Sequence, residues 1–246
     1  MKLIALLAFA ISAPVLLAQV PTPPSTATWF TNIEKASGWT ACSSCTGNPG
    51  ASYWFKQWVS SPSMDGDSME TYIKSCYGCW GDNLFVHYLG NQTWAHHVEF
   101  SQNFLWNASK TKQSNGAYVV QAIEFDARMI NGDFKYMFGT QCDYAEGHWD
   151  VWNGPGHYWE HTGVACQKWG PNSWHNIKWY GTIDYNTKYL KFVGLAVDGK
   201  QYWINKTFAA TPTAWSQQFL YQYEQDTDYQ GDPWYMWSEK VNVAVW

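Results

Sequence analysis

The side chains of this 246-residue chain best suited to chemistry are carboxylates and amides at alternate positions. In Gln121-Ala122-Ile123-Glu124-Phe125-Asp126, an extended backbone puts Glu124 and Asp126 on one face, about 7 Å apart by strand geometry. The segment Leu220-Tyr221-Gln222-Tyr223-Glu224-Gln225-Asp226 repeats the pattern. Cleavage of a glycosidic bond needs two carboxyl groups flanking it, about 5 Å apart for retention and roughly 6.5–9.5 Å for inversion. Glu124, Glu224 and Asp126 are therefore the candidate catalytic residues. Glu124 and Asp126 share one strand and so one side of any sugar, which makes Glu224 from another strand the better partner for Glu124. The competing reading makes them surface charges paired with Arg128 and Lys135, an arrangement that contributes little to stability.

Sugar recognition uses flat rings against C–H faces and amides or carboxylates against hydroxyls, because a buried unpaired hydroxyl costs about 1–3 kcal/mol. Gln121, Gln222 and Gln225 supply candidate polar contacts beside Glu124 and Asp126. Aromatic residues make up 19% of the chain, with 18 Trp, more than a core of this size needs, so some rings are expected at the surface. Candidate platforms are Trp94, Trp152, Trp159, Trp203, Trp234 and Trp237, although any single Trp is more often core than platform. His96-His97 is the one His pair, and neighbours on a regular strand point to opposite faces, so together they chelate no ion. No Gly-x-Ser-x-Gly elbow is present. A net charge of −5 with 14% charged residues lacks the basic footprint of a nucleic-acid binder.

These side chains must be positioned by strands. From Thr28 to Trp246 no window keeps a helical period for three turns, whereas apolar and polar residues alternate throughout. Asn131-Gly132 predicts a two-residue turn joining Tyr118–Ile130 to Asp133–Thr140. With Ile130 opposite Asp133, Glu124 faces Gly139, which leaves its carboxylate unobstructed. Ile123, Phe125, Ala127 and Met129 then share a core face with Phe134, Tyr136 and Phe138, and Glu124, Asp126 and Arg128 point the other way. Asp198-Gly199 predicts a second hairpin between Tyr189–Val197 and Lys200–Asn205, and Asn153-Gly154-Pro155-Gly156 a looser turn. Roughly a dozen strands without crossover helices predict an all-β fold of two antiparallel sheets.

Residues 1–18 carry Lys2 and an apolar run ending at Ala18, which predicts a signal peptide. Residues 19–28 read as a Pro/Thr-rich arm and residues 29–246 as one domain. Export favours disulfides among Cys42, Cys45, Cys76, Cys79, Cys142 and Cys166. Cys142–Cys166 is expected to close the loop around a hairpin. The pairing of the other four stays open, and the two CxxC pairs also match a zinc-ribbon spacing.

The strand Ala122–Asp126, the hairpin to Phe138-Gly139-Thr140-Gln141-Cys142, the Ser173-Trp174-His175-Asn176-Ile177 segment and the Val197-Asp198-Gly199 turn resemble the concanavalin A-like lectin and glucanase superfamily, and more closely a group of uncharacterised secreted bacterial proteins of that architecture. The resemblance implies a jelly-roll sandwich whose concave sheet faces a ligand. Glu124-Phe125-Asp126 is similar to the legume-lectin strand that holds a transition metal and calcium, but Asn131 and Asp133 fall in a tight hairpin with no His close behind. The glucanase pattern Glu-x-Asp-x-Glu is broken by Arg128. Together these features predict a secreted, lectin-like monomer that binds a poly- or oligosaccharide. An endo-acting glycoside hydrolase with Glu124 and Glu224 is the alternative. No cofactor is expected, a structural calcium being the one exception the acidic strand leaves open, and neither nucleic acid nor, after signal cleavage, membrane is an expected partner.

Overall fold

A side-chain period of two makes each strand half apolar, and such strands gain most by facing a second sheet. In the computed structural model, which describes residues 20–42, 51–92 and 94–246, two antiparallel sheets pack in this way. The expected signal peptide and Cys45 lie outside the described residues.

The first sheet runs in the order β14 (Lys200–Ala209), β13 (Tyr189–Val197), β12 (His175–Asp184), β6 (His97–Ala108), β17 (Pro233–Val245), β4 (Ser68–Lys74) and β3 (Ser52–Val59), and β1 (Thr28–Phe30) also pairs with β17. The second runs β11 (Tyr158–Ala165), β10 (His148–Asn153), β9 (Thr140–Asp143), β7 (Val120–Asn131), β16 (Gln218–Thr227), β5 (Gly81–Gly90) and β2 (Thr40–Cys42). In the same sheet β8 (Phe134–Phe138) pairs with β7 and with the short β15 (Thr211–Pro212). The helical content of the described residues is one 3-10 turn, Ile33–Lys35.

Aromatic rings fill the space between the sheets. Phe104 on β6 meets Phe125 on β7 at 5.2 Å between ring centroids, and Phe100 meets Tyr221 at 6.0 Å. Trp149 on β10 meets Trp179 on β12 at 5.9 Å. Tyr221 donates to Gln102 Oε1 at 2.8 Å, and Gln102 Nε2 donates to Ser238 at 2.7 Å, so these three polar groups inside the core are paired. Phe138 lies close over Gly181 of the facing sheet, at which an added Cβ would fall 2.2 Å from the ring.

The face assignment of the β7–β8 hairpin agrees with the sequence reading, but its register does not. Asn131 pairs with Phe134 and Arg128 with Met137, so the turn residues are Gly132 and Asp133. Gly132, at φ +57°, takes the first central position, the pattern of a II′ turn rather than the I′ turn that an Asn-Gly centre favours. The partner of Glu124 is thus Gln141, not Gly139. The shift moves every pairing by two positions and so keeps each residue on its face. In the β13–β14 hairpin Asp198 and Gly199 both have positive φ, as expected.

Cys142 bonds to Cys166 and Cys76 to Cys79. Cys42 is also disulfide-bonded. The bond between Cys76 and Cys79 overturns the zinc-ribbon alternative, because thiols consumed in a disulfide offer no thiolate to a metal. The Cys142–Cys166 bond spans 24 positions and encloses the β10–β11 hairpin. Replacing both cysteines with Ala is expected to destabilise the fold by about 3 kcal/mol through the regained entropy of the unfolded chain. Urea unfolding of the variant against the oxidised protein measures this, and an unchanged midpoint would refute it.

Candidate functional site

The outer face of the second sheet is built from register partners, which lie on the same side of adjacent strands. One transverse row runs Leu84, Glu224, Glu124, Gln141, Asp150, His161 across β5, β16, β7, β9, β10 and β11. From Glu224 to His161 it crosses four strand spacings, about 19 Å. A parallel row holds Asp82, Asp226, Ala122, Asp143 and His148. A third holds Val86, Gln222 and Asp126, beyond which Trp152 pairs with Trp159. The members of these rows on β5, β16, β7 and β9, Val86 apart, floor a groove of about 700 Å³ whose walls include Trp80, Trp152, Trp159 and Trp215.

Glu124 and Glu224 face one another directly across β7 and β16, which puts their Cβ atoms about 5 Å apart. Their side chains interact directly, a contact that raises the pKa of Glu124 and lowers that of Glu224. Burial is the first cause that raises the Glu124 pKa well above the usual carboxylate range, followed by the charges of Glu224, Asp226 and Asp126. Burial likewise raises Glu224, together with Asp226, Asp126 and Asp82. Asp126 is 1% exposed, and burial pushes it up to about 7 although two hydrogen bonds oppose the shift. Its Oδ1 accepts from Thr140 N and its Oδ2 from Gln222 Nε2, both at 2.9 Å.

Next to the acidic pair, Gln141 Nε2 donates to Asp150 Oδ2 at 3.0 Å, and His161 Nδ1 lies 2.7 Å from Asp150 Oδ1. This hydrogen bond is the leading cause that raises His161 above the ordinary imidazole value. At the far end of the groove the Arg128 guanidinium sits 4.7 Å over the Trp215 ring and Lys135 Nζ 5.5 Å from it. Trp152 and Trp159 meet edge to face at 5.2 Å. Gly139 makes room for them, since an added Cβ would lie 2.8 Å from the Trp152 Cβ.

Of the candidate residues, Glu124, Asp126, Glu224, Gln121, Gln222, Trp152 and Trp159 all line the groove. Gln121 does so through an irregularity: Asp226 pairs with Ala122 but Thr227 with Val120, so Gln121 is the extra residue of a bulge. Other candidates are corrected. Gln225 is fully buried beside the core residue Tyr223's face, because it stands an odd number of positions from Gln222 on a regular strand. Trp234 is fully buried and packs edge to face on Trp106, so it is core, not platform. Trp237 is 8% exposed and stacks on Tyr235 in the first sheet, away from the groove. Trp94 and Trp203 are exposed but do not line the groove, Trp203 lying on the edge strand β14 of the other sheet. Sequence reasoning missed Trp80, Trp215, Asp82, Gln141 and Asp143. Asp82 and Gln141 carry the alternation signal of their strands. Trp80 and Trp215 sit in connections, where no periodicity marks them.

The lectin-like metal arrangement does not fit these residues. Both Asp126 oxygens accept hydrogen bonds and Glu124 is engaged with Glu224, so the strand offers no pair of open carboxylates. A different trio, Asp82, Glu224 and Asp226, brings one carboxylate oxygen from each to within 4.8 Å of the others.

The chain folds as a two-sheet antiparallel jelly-roll sandwich with an acidic, Trp-walled groove on one sheet. No family model and no curated protein matches the chain. Among solved structures it is similar to the endo-beta-1,4-glucuronan lyase of the fungus Trichoderma reesei, at a TM-score of 0.50 and 11% identity over 87% of this chain and 94% of that one. It also matches lectin II from Ulex europaeus, at 0.45 and 9% over 85% and 98%, and the alginate lyase Aly36B, at 0.43 and 11% over 88% and 96%. At such identities the likeness is one of fold.

The raised carboxyl pKa values set a pH dependence. Where the unfolded chain has lost protons that the fold retains, stability falls as pH rises. For Asp126 this window runs from its ordinary 3.8 to about 7, and Glu124, Glu224 and Asp226 act in the same direction. The thermal midpoint is therefore expected to be lower at pH 8 than at pH 5, and Glu124→Gln to flatten that decline. Differential scanning fluorimetry across pH tests it, and a variant profile as steep as that of the parent would count against the assignment.

Proposed function

We propose that the protein binds a poly- or oligosaccharide along the groove of the second sheet. The observation that carries this reading is the combination in one groove of four Trp walls with a floor of amide and carboxyl groups. Such rings meet the C–H faces of sugars, and Gln222, Gln141 and Glu124 supply the donors and acceptors that hydroxyls require. Six carboxyl residues and two cationic ones line the groove, which disfavours a uronate polymer and favours neutral or basic sugars. We further infer export of a monomer, with residues 1–18 as signal peptide, residues 19–28 as an arm and residues 29–246 as the binding domain. The disulfides support an oxidising compartment.

Trp152→Ala is expected to weaken glycan binding by about tenfold, roughly 1.4 kcal/mol, through loss of one platform. Trp203→Ala, outside the groove, is expected to leave it unchanged. Affinity electrophoresis against soluble β-glucan, xylan and mannan reads both, and no retention of the parent protein on any glycan would remove the proposal.

One observation favours an endo-acting glycoside hydrolase as second reading: a carboxyl whose pKa is raised well above the usual carboxylate range suits a general acid, and Glu124 is such a group. The geometry weighs against Glu124 and Glu224 as the pair. Hydrogen-bonded side by side, they are closer than the about 5 Å that separates carboxyls on either side of a scissile bond. If the protein hydrolyses glycans, Glu124→Gln is expected to cut reducing-sugar release by at least 100-fold. Release that persists in the variant would exclude Glu124 as the acid.

A further inference from the structure

We propose that the groove selects glycans bearing free amino groups, the sugar ammonium being held between Asp82, Glu224 and Asp226 beside Trp80. The inference rests on the glycan-binding reading and names its substrate class.

An ammonium has three N–H donors directed tetrahedrally. With charge-assisted N–H···O distances of about 2.8 Å, three acceptors around one nitrogen stand about 4.6 Å from one another. The three carboxylate oxygens here all lie within 4.8 Å of one another, close enough for a single ammonium to reach all three. They are held by the sheet itself: Asp82 and Asp226 are register partners, and Glu224 is two positions from Asp226 on the same face of β16.

Three further observations point to a cationic occupant at this end. Asp226 Oδ1 is shielded from solvent and has no hydrogen-bond partner, whereas both oxygens of nearby Asp126 are satisfied. The charges facing Glu224 are those of Asp226, Asp126 and Asp82, and those facing Asp226 are Asp82, Asp143 and Asp126, all of one sign. The groove's own cations, Arg128 and Lys135, are gathered around Trp215 instead. Arg128 pairs with Leu220, six positions along β16 from Asp226, or about 20 Å.

Trp80 supplies the independent apolar half of the subsite. It precedes Gly81 and Asp82 in the chain, lines the groove, is 43% exposed and is braced edge to face by Tyr229 at 5.2 Å. A sugar ring resting on its face brings an equatorial amino substituent toward the adjacent Asp82. An N-acetyl group at that place carries no charge and one donor, so it leaves acceptors unmatched.

The test is isothermal titration near neutral pH with three probes of equal length and linkage: a β-linked glucosamine oligomer, its N-acetylated form and the neutral glucose oligomer. The glucosamine oligomer is expected to bind at least tenfold more tightly than either, and the advantage to shrink as salt rises. Asp226→Asn is expected to bring the ratio of glucosamine to glucose affinity down to about one. Because the salt dependence is read on the parent protein, the inference stays testable if the variant misfolds. Equal or tighter binding of the glucose oligomer overturns the inference while leaving the glycan-binding reading intact. Binding of no oligomer or polysaccharide overturns both. If calcium chloride at equimolar concentration binds and abolishes the glucosamine preference, the trio is a metal site and the inference fails.

Discussion

The burial of one face of β7 and β16 against the first sheet is the constraint on which the rest of the structure depends. Phe125, Tyr221 and Tyr223 are fully buried, and Tyr221 is further fixed by its hydrogen bond to Gln102. A strand has two faces, so these rings leave Glu124, Asp126, Gln222, Glu224 and Asp226 no direction but outward. A one-residue slip of either strand would bury the carboxylates and expose the rings, and the cost of burying several charges without partners excludes it. The polar rows are the reverse side of the aromatic core.

The same constraint concentrates like charges on two central strands. Glu124, Glu224, Asp126 and Asp226 sit where backbone pairing allows no retreat, so their pKa values are raised, and amide donors from Gln222 and Thr140 satisfy Asp126. A surface arranged this way is costly to leave empty and favourable to fill with donors, the property expected of a binding floor rather than of a structural face. The Trp walls come from elsewhere: Trp152 and Trp159 from the β10–β11 hairpin, Trp80 and Trp215 from connections.

Much of this was legible in the residues. Alternation in Ile123–Met129 and in Leu220–Asp226 assigns faces by local chemistry alone, and Asp198-Gly199 specifies its turn because both residues tolerate positive φ. The Gly132 turn was read one residue early, since Asn-Gly and Gly-Asp are both acceptable turn centres and only the pairing with β9 and β10 chooses between them. Parity should have removed Gln225, whereas the bulge that exposes Gln121 has no local signature.

The amino-acid sequence by itself determined an all-β chain, the outward face of β7 and β16 and so the acidic character of the site, because side-chain period and turn chemistry act over a few residues. Only the tertiary structure decided that β7 and β16 are neighbours with Glu124 opposite Glu224, that Asp82 completes a trio with Glu224 and Asp226, and which Trp side chains stand around them. Those facts depend on strand order and on the path of connections, which are set by long-range packing of two sheets and leave no periodic trace along the chain.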